Sequence, residues 1–301
     1  MEKVAVIGLG EMGTPITSFL LKAGYEVTGF DVLKKQMARL IPRGLKPADS
    51  PRKAVEGVDF ILLSLPNWGA VREVVEGREG ILKAARPGQI IIDTSTVPPR
   101  ESREMAKHLA AKGIDWVDAP ISGAANQARV GNMVFMVGGK RSVFLKIKPV
   151  LDRVGKKTVY VGKNGDAVML KLVVNQVLFL NQAAAIEGLV HGLKAGLDPD
   201  VMLDVLISGA AGSDLIASRG KDMLRGNFEK KGPVWLAIKD LGLALENAKQ
   251  LGIILPFAAL YHQLLLQAYY NGWQNQDATV VMRIYEELAR IKKGKKAKSK
   301  R

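Results

Sequence analysis

The sequence predicts an α/β domain followed by an all-α domain, with one long helix linking the two. A glycine-rich string follows an apolar run at the very start, seven β-branched runs alternate with helical stretches up to Gly162, and beyond it apolar residues recur with a helical period. At 301 residues the chain is long enough for two domains. We expect a first domain over 1–162, a helical domain over 163–291 and a basic disordered tail over 292–301.

The first half carries seven runs that are typical of the strands of a mostly parallel sheet. They read KVAVIG, YEVTGFD, VDFILLSLP, GQIIIDTST, DWVDAPIS, NMVFMVGG and KTVYVG. The segments between them are long enough for helices, which favours a sheet covered on both faces. Asp93, Asp115 and Asp118 lie at strand ends, where caps and loop starts are the common explanation, so no catalytic role is assigned to them.

The string GLGEMG is the first candidate site. It follows a strand pattern and precedes a helical pattern, which is the order of a Rossmann dinucleotide-binding fold. The first glycine permits a tight turn, the second lets the backbone approach a pyrophosphate, and the third lets helix and strand pack closely. A second strand ends in an acid that is placed to bond the adenosine ribose. The predicted cofactor residues here are Gly8, Leu9, Gly10, Glu11, Met12, Gly13 and Asp31.

Asp31 favours NAD over NADP, because its carboxylate repels a 2′-phosphate. Lys34 and Lys35 follow closely and would neutralise such a phosphate if the loop brings either of them round, so NADP stays open. The nicotinamide half is expected at later strand ends, since ligands bind at the carboxyl edge of an open parallel sheet. These residues are Leu65, Pro66 and Thr96.

Beyond Gly162 the sequence predicts helices alone. The longest covers about residues 165–195, and LDPD then starts the next helix with an Asp cap and a Pro. Further helices are predicted over 200–207, 214–224, 236–251, 256–271 and 279–291.

Lys171 and Asn175 are the polar candidates within the long predicted helix. They are four residues apart and share one helix face, although apolar residues surround them. Buried Lys and Asn need polar partners, which a ligand-binding site would supply. The alternative is that Lys171 extends to a domain seam and Asn175 bonds to backbone.

The net charge of +15 is concentrated at one end of the chain. Residues 290–301 hold eight Lys or Arg and no acid, which leaves +7 on the rest. Such a run is expected to be a solvated tail and not a nucleic-acid site, while the remaining charge suits an anionic cofactor and an anionic substrate. The start enters a strand without a charged leader and no 18-residue run is wholly apolar, so a cytoplasmic protein without a membrane span is expected.

Composition and spacing argue against a metal centre. The chain contains no Cys, which excludes a disulfide framework, a thiolate metal site and a Cys nucleophile. His108, His191 and His262 have no metal-ligand spacing. No metal is predicted.

Four strings of the chain resemble the signatures of the β-hydroxyacid dehydrogenase family. They are GLGEMG, DAPISGAANQA at 118–128, GKNGDAVMLKLVVN at 162–175 and KDLGLALENA at 239–248. That family includes 3-hydroxyisobutyrate dehydrogenase, tartronate semialdehyde reductase and relatives of 6-phosphogluconate dehydrogenase. The resemblance covers almost the whole chain before the basic tail.

The resemblance implies a role for five residues. Ser122 and Gly123 would bind the substrate carboxylate, Lys171 would be the general acid or base, Asn175 would orient the substrate, and Lys239 would lie beside the nicotinamide. A positioned amine can take the hydroxyl proton as the hydride leaves. Apolar surroundings and the positive oxidised nicotinamide disfavour the ammonium form of Lys171, which suits it to that task.

Three positions depart from the family pattern. Ala124 replaces the second glycine of SGG, Ala167 stands where the third glycine of the catalytic signature is usual, and Gly232 stands where a Phe is usual. We expect the first two to alter specificity. The third is expected to change the distal end of the substrate pocket, with Trp235 or Phe228 taking over.

These features predict an NAD(P)-dependent oxidoreductase that transfers hydride between nicotinamide and a small 3-hydroxy acid, similar to 3-hydroxyisobutyrate or serine. A first alternative is an NADPH-dependent reductase of glyoxylate or of succinic or tartronic semialdehyde. A second is a non-catalytic nucleotide-binding module whose tail contacts nucleic acid, against which Lys171 argues. The long linking helix and the all-helical half favour a homodimer or homotetramer. The apolar stretch 256–273 would contribute to such an interface or, as is more common, form a core helix.

Overall fold

The computed structural model describes residues 2–229 and 231–291, and the tail predicted over 292–301 lies outside them. These residues form two compact units, of which the first ends at Val174 and the second begins at Asn175. The division falls inside the long predicted helix. The domain boundary after Gly162 therefore remains a prediction.

The first unit is built on a mostly parallel sheet. Its strand order is β3-β2-β1-β4-β5-β6-β8-β7, with β9 paired to β8. The pairs from β3 to β6 are parallel, as is β8 with β9, whereas β8 runs antiparallel to β6 and β7. The strands are β1 (Lys3–Ile7), β2 (Glu26–Phe30), β3 (Lys46–Pro47), β4 (Phe60–Leu63), β5 (Ile90–Asp93), β6 (Asp115–Asp118), β7 (Ile121–Ser122), β8 (Val134–Gly138) and β9 (Lys157–Gly162).

All seven predicted runs form strands, and β3 is additional. The run DWVDAPIS forms two strands, β6 and β7, which Ala119 and Pro120 separate. Strand β3 has only two residues, too few to show a period-2 pattern. In the centre of the sheet both faces are covered: Val4 and Val6 of β1 belong to one apolar cluster, and Ala5 and Ile7 belong to another. The β-branched runs therefore reflect burial on both faces, as expected for parallel strands.

The helices of the first unit cover the two faces of this sheet. They are α1 (Gly13–Lys22), α2 (Lys34–Ala38), α3 (Pro51–Ala54), α4 (Trp68–Glu76), α5 (Pro99–Ala110), α6 (Ala125–Arg129) and α7 (Arg141–Leu151). Strand β1 lies between β2 and β4, so the chain leaves it first in one direction and later in the other. The carboxyl end of β1 is therefore a topological switch point, where open α/β sheets bind ligands.

Helices build the second unit, as predicted. The helix α8 (Asp166–Lys194) crosses the division, and the helices that follow are α9 (Pro199–Ser208), α10 (Asp214–Leu224), α11 (Val234–Leu251), α12 (Pro256–Ala268) and α13 (Met282–Leu288). Over the helix predicted at 256–271, α12 ends at Ala268 and a π-helical turn follows over Tyr269–Trp273, in which Gly272 takes a left-handed φ of 83°. The helix predicted over 279–291 starts with a 3₁₀ turn and ends at Leu288.

Among the described helices, α8 is the one long and apolar enough to cross a membrane by length and composition. Core helices of globular proteins meet the same criterion. Phe179, Ile186 and Leu189 of α8 are buried in the apolar core of the second unit.

Candidate active site

The three glycines of GLGEMG meet three different requirements. Gly8 has a φ of +90°, and a Cβ there would lie 2.3 Å from the carbonyl oxygen of Ser64. A Cβ on Gly13 would lie 1.9 Å from the carbonyl oxygen of Gly8. Around Gly10, in contrast, no other described part of the chain comes within 4 Å of the Cβ position. The fold requires the first and third glycines, and the second leaves open space beside the turn.

Asp31, at the end of β2, is tied to this turn. One of its carboxylate oxygens accepts the backbone N–H of Leu9 at 2.7 Å, and the other accepts that of Leu33 at 2.8 Å. The side chain of Leu9 is fully buried, so Leu9 takes part in the predicted site through its backbone. The carboxylate is thus held beside the glycine turn, as the sequence pattern requires.

Glu11 and Met12 complete the turn in different ways. The Glu11 carboxylate is exposed and lies 2.9 Å from the guanidinium of Arg129. Met12 occupies the N-cap position of α1 and gives no side-chain cap. Within the first turn of α1 the Thr14 N–H donates to the Gly10 carbonyl at 3.0 Å and Pro15 has no N–H, so the N–H groups that suit an anion are those of the turn up to Gly13.

These features fit a bound dinucleotide. Open space at Gly10 and the uncapped start of α1 suit the pyrophosphate, and the fixed carboxylate of Asp31 suits the ribose hydroxyls. Lys34 and Lys35 begin α2 with exposed side chains, three and four residues after Asp31. The residues present are therefore compatible with NAD and leave NADP open.

The ends of β4 and β5 meet the same edge of the sheet as the glycine turn, because β1, β4 and β5 are parallel neighbours. The backbone N–H of Leu65 donates to the Ser95 hydroxyl at 3.0 Å, which joins the two strand ends. Pro66 is exposed and Thr96 is half-buried. The structure thus brings the predicted cofactor residues of the first unit to one edge.

Ser122 and Gly123 leave the sheet at β7. Ser122 is half-buried, and Gly123 has a φ of +142°, in the region that favours glycine. Ala124 follows with extended backbone (φ −87°), and its N–H donates to the side-chain oxygen of Gln127 at 2.9 Å. Any residue adopts that conformation, so alanine in place of the family's second glycine causes no strain.

Asp118 is a cap, but for a distant helix. Its buried carboxylate accepts the backbone N–H groups of Gly165 at 2.8 Å and of Ala167 and Val168 at 3.1 Å, all at the start of α8. Burial raises the pKa of Asp118, and these three hydrogen bonds act in the opposite direction. Ala167 is fully buried in the first turn of α8, so an alanine fits where the family has glycine.

Lys171 lies on α8 with a half-buried side chain, three residues after Val168. The neighbouring Leu172 is almost fully buried, whereas Val173 is largely exposed. Of the apolar residues expected around Lys171, Leu172 is therefore buried, whereas Val173, Val177 and Leu178 are exposed.

Asn175 and Lys239 meet at Asp240, which the sequence analysis left out. The amide nitrogen of Asn175 donates to one carboxylate oxygen of Asp240 at 2.8 Å, and the ammonium of Lys239 lies 2.9 Å from the other. Both Asn175 and Asp240 are buried. The amide of Asn175 thus donates to a side chain and not to backbone. The sequence signal for Asp240 was a carboxylate directly after Lys239 in a helical apolar string, because a carboxylate that becomes buried there needs polar partners.

The loop before α11 shows what surrounds Gly232. The Gly232 N–H donates to Asp277 at 2.8 Å, and a Cβ on Gly232 would have its nearest neighbours 3.8 and 3.9 Å away. Phe228 is buried in the core, with the Arg283 guanidinium 4.9 Å from its ring centre. Phe228 therefore packs as a core residue, and the half-buried Trp235 is the better candidate of the two.

No cluster of three metal-ligating side chains occurs in the described ranges, 2–229 and 231–291. His108 pairs with Glu76 at 3.3 Å, and His262 bonds to the backbone of Ile238 at 3.2 Å. These two histidines have structural partners.

Comparisons with known proteins cover nearly the whole chain. A model described as the NAD binding domain of 6-phosphogluconate dehydrogenase matches residues 3–162. A model described as the NAD-binding domain of NADP-dependent 3-hydroxyisobutyrate dehydrogenase matches residues 165–285.

Individual relatives are similar over their full lengths. The chain is 37% identical over 290 residues to 2-(hydroxymethyl)glutarate dehydrogenase of Eubacterium barkeri, covering 96% of each chain. It is 34% identical over 292 residues to 2-hydroxy-3-oxopropionate reductase of Escherichia coli K12, covering 96% of this chain and 99% of the relative. The crystal structure of a 3-hydroxyisobutyrate dehydrogenase from Salmonella typhimurium matches with a TM-score of 0.86 at 29% identity, over 94% of this chain and all of that one.

Proposed function

The chain belongs to the β-hydroxyacid dehydrogenase family, and from that premise we propose that it interconverts a small 3-hydroxy acid and its semialdehyde. The predicted fold, the NAD(P) cofactor and the oxidoreductase activity on CH–OH groups are confirmed by the family models and the named relatives. Nothing in these comparisons supports the non-catalytic nucleotide-binding module. The identity of the substrate and the roles of individual residues form the proposal.

Lys171 carries the proposed mechanism. A bound nicotinamide would supply the hydride acceptor for oxidation and the hydride donor for reduction. Lys171 takes the hydroxyl proton in oxidation and returns it in reduction. The side chain of Lys171 is half-buried on α8, next to the buried Leu172.

The remaining roles follow the family resemblance. Ser122 and Gly123 hold the substrate carboxylate, with the left-handed φ of Gly123 turning the backbone there. Asn175 orients the substrate, and its hydrogen bond to Asp240 fixes the orientation of its amide. Lys239 pairs with the same carboxylate, and the family resemblance assigns it to the nicotinamide end. Holding the substrate carboxylate in this way selects which carbon faces the cofactor.

The substrate class follows from the relatives and from the missing aromatic side chain. By its name, the substrate of the Eubacterium barkeri relative is a 3-hydroxy acid with an acidic branch. Gly232 stands where the family usually has Phe, and a Cβ there would make only ordinary contacts. A branched or extended 3-hydroxy acid is therefore a candidate beside 3-hydroxyisobutyrate and serine. Reduction of tartronic semialdehyde with NADPH is the alternative, which the name of the Escherichia coli relative favours.

Two measurements test this function. The first is turnover on a panel containing 2-(hydroxymethyl)glutarate, 3-hydroxyisobutyrate, serine and tartronic semialdehyde, each with NAD and NADP. The second is Lys171→Ala, which should lose at least nine-tenths of kcat while NAD binding survives. Lys194→Ala, at the exposed far end of α8, is the matched control and should keep its activity. More than a tenth of wild-type kcat in Lys171→Ala would refute the role of Lys171.

A homodimer or homotetramer in the cytoplasm completes the proposal. In the second unit, Ile254, Phe257 and Leu260 expose large apolar side chains around the start of α12. Contiguous apolar surface of this kind is usual at subunit contacts. Light scattering at several protein concentrations measures the assembly. Charge reversals in the tail would leave activity unchanged if nucleic acid plays no part.

A further inference from the structure

One buried carboxylate links two parts of the proposed site within the first unit. Asp118 ends β6, and Ser122 follows four residues later. The same carboxylate binds the start of α8, 47 to 50 residues further along the chain. Asp118 thus connects the strand that leads to the substrate loop with the helix that carries Lys171.

The surroundings of Asp118 are shaped to hold this carboxylate in one place. Gly138 of β8 lies against it, and a Cβ there would lie 2.7 Å from a carboxylate oxygen and 3.1 Å from the Ala167 nitrogen. The Asn164 amide donates to the Trp116 carbonyl at 2.8 Å, which adds a second bond between β6 and the segment before α8. Contacts this close leave little room for the helix start to shift.

The register of the helix places these bonds directly below Lys171. Ala167 and Val168, whose N–H groups Asp118 accepts, lie four and three residues before it, on the same helix face. Helical side chains lean towards the N-terminus of their helix. Any displacement of this first turn is therefore passed on to the amine of Lys171.

We propose that Asp118 is a positioning residue: by binding the first N–H groups of α8, it sets where the Lys171 amine stands relative to Ser122. Misplacing a catalytic group by about 1 Å can cost on the order of a hundredfold in rate. Loss of Asp118 should therefore lower kcat and leave cofactor binding largely unchanged. This inference rests on the role proposed for Lys171.

Asp118→Asn is the first test, because it preserves size while replacing an accepting oxygen with an amide nitrogen that cannot accept the N–H groups. We expect kcat to fall at least tenfold, with the Kd for NAD within threefold of wild type. Asp198→Ala is the matched control, because it removes the carboxylate oxygen that accepts the N–H groups of Asp200 and Val201 at the start of α9. The control should lose thermal stability and keep its kcat.

A double-mutant cycle separates positioning from general loss of structure. In a Lys171→Ala background, Asp118→Asn should change kcat less than twofold, while its effect on the melting temperature persists. If Asp118→Asn does not fold, Gly138→Ala keeps the carboxylate and presses a methyl group against it. That variant should lower kcat in the same direction by a smaller factor.

Two results would overturn this inference and leave the proposed function standing. The first is an unchanged kcat in folded Asp118→Asn, or in Gly138→Ala where Asp118→Asn does not fold. The second is a fall in kcat of equal size in the wild-type and Lys171→Ala backgrounds. A Lys171→Ala enzyme that retains more than a tenth of wild-type kcat contradicts the proposed function first, and the inference with it. The failures of the two proposals are therefore distinguishable.

Discussion

Gly10→Ala should separate the binding role of the glycine turn from its folding role. The chain leaves the Cβ position of Gly10 without neighbours within 4 Å, and its backbone lies outside the left-handed region. The methyl group therefore fits the folded protein. Such a substitution stabilises by about 0.4–1 kcal/mol through the unfolded chain. The melting temperature should stay unchanged or rise by roughly 2–4 °C at most.

The methyl group of Gly10→Ala is expected to weaken the binding of NAD. The backbone approaches the pyrophosphate at the second glycine, so a side chain there displaces phosphate oxygens from the N–H groups. A hydrogen bond to a charged group contributes about 1.5–3 kcal/mol. Losing one such bond raises the Kd for NAD roughly 10- to 150-fold, at 1.4 kcal/mol for each factor of ten.

Two further glycines provide the contrast. In Gly13→Ala the new Cβ would lie 1.9 Å from the Gly8 oxygen, so α1 must move away from the strand end. Overpacking of this kind costs about 1–3 kcal/mol or more, and the melting temperature should fall. Gly188→Ala is the matched control, because its Cβ position on α8 is also open. It should gain about 0.5–1 kcal/mol and bind NAD normally.

Calorimetric titration with NAD and thermal melting of the same samples measure both effects. Gly10→Ala that melts normally and binds NAD within twofold of wild type would refute the placement of the pyrophosphate against this turn. A lowered melting temperature in Gly10→Ala would contradict the open space that the structure shows there.

Three further predictions concern other groups. Asp31→Ser should raise the KM for NAD about tenfold, which corresponds to the loss of one charge-assisted hydrogen bond. The KM for NADP should rise less, and equal changes in the two KM values would show that Asp31 does not set the cofactor preference. Asp240→Ala should destabilise the protein by about 1–3 kcal/mol in denaturant unfolding, because it leaves the buried Asn175 amide without its acceptor; an unchanged unfolding midpoint would contradict this. Burial lowers the pKa of His262 in the folded protein. As pH falls below about 6.5, the unfolded chain takes up the proton first, so the contribution of neutral His262 to the free energy of unfolding is present above that pH and is lost below it. His262→Gln can still donate a hydrogen bond to the Ile238 carbonyl, and it should make the melting temperature depend less on pH between pH 7.5 and 5.5. An unchanged pH dependence would contradict this role of His262.

Local patterns in the sequence were sufficient for most of the secondary structure. Side chains of β1 alternate between the two faces of the sheet, and the turn after it requires glycine at Gly8 and Gly13. The two-residue strand β3 was missed because it is too short to show a period-2 pattern. The end of α12 at Ala268 was missed because the apolar pattern continues into the π-helical turn that contains Gly272.

The sequence by itself determined which chemical groups are present and their order along the chain: a glycine turn with an acid after the second strand, a serine-glycine pair, and a lysine and an asparagine one helical turn apart. These are local features, and short-range sterics and hydrogen bonding specify them. Only the tertiary structure decided the partners of Asp118 and Asp240. The bond from Asp118 to Gly165 spans 47 residues and that from Asn175 to Asp240 spans 65, so they depend on which strand ends and helices meet. No local pattern contains that information.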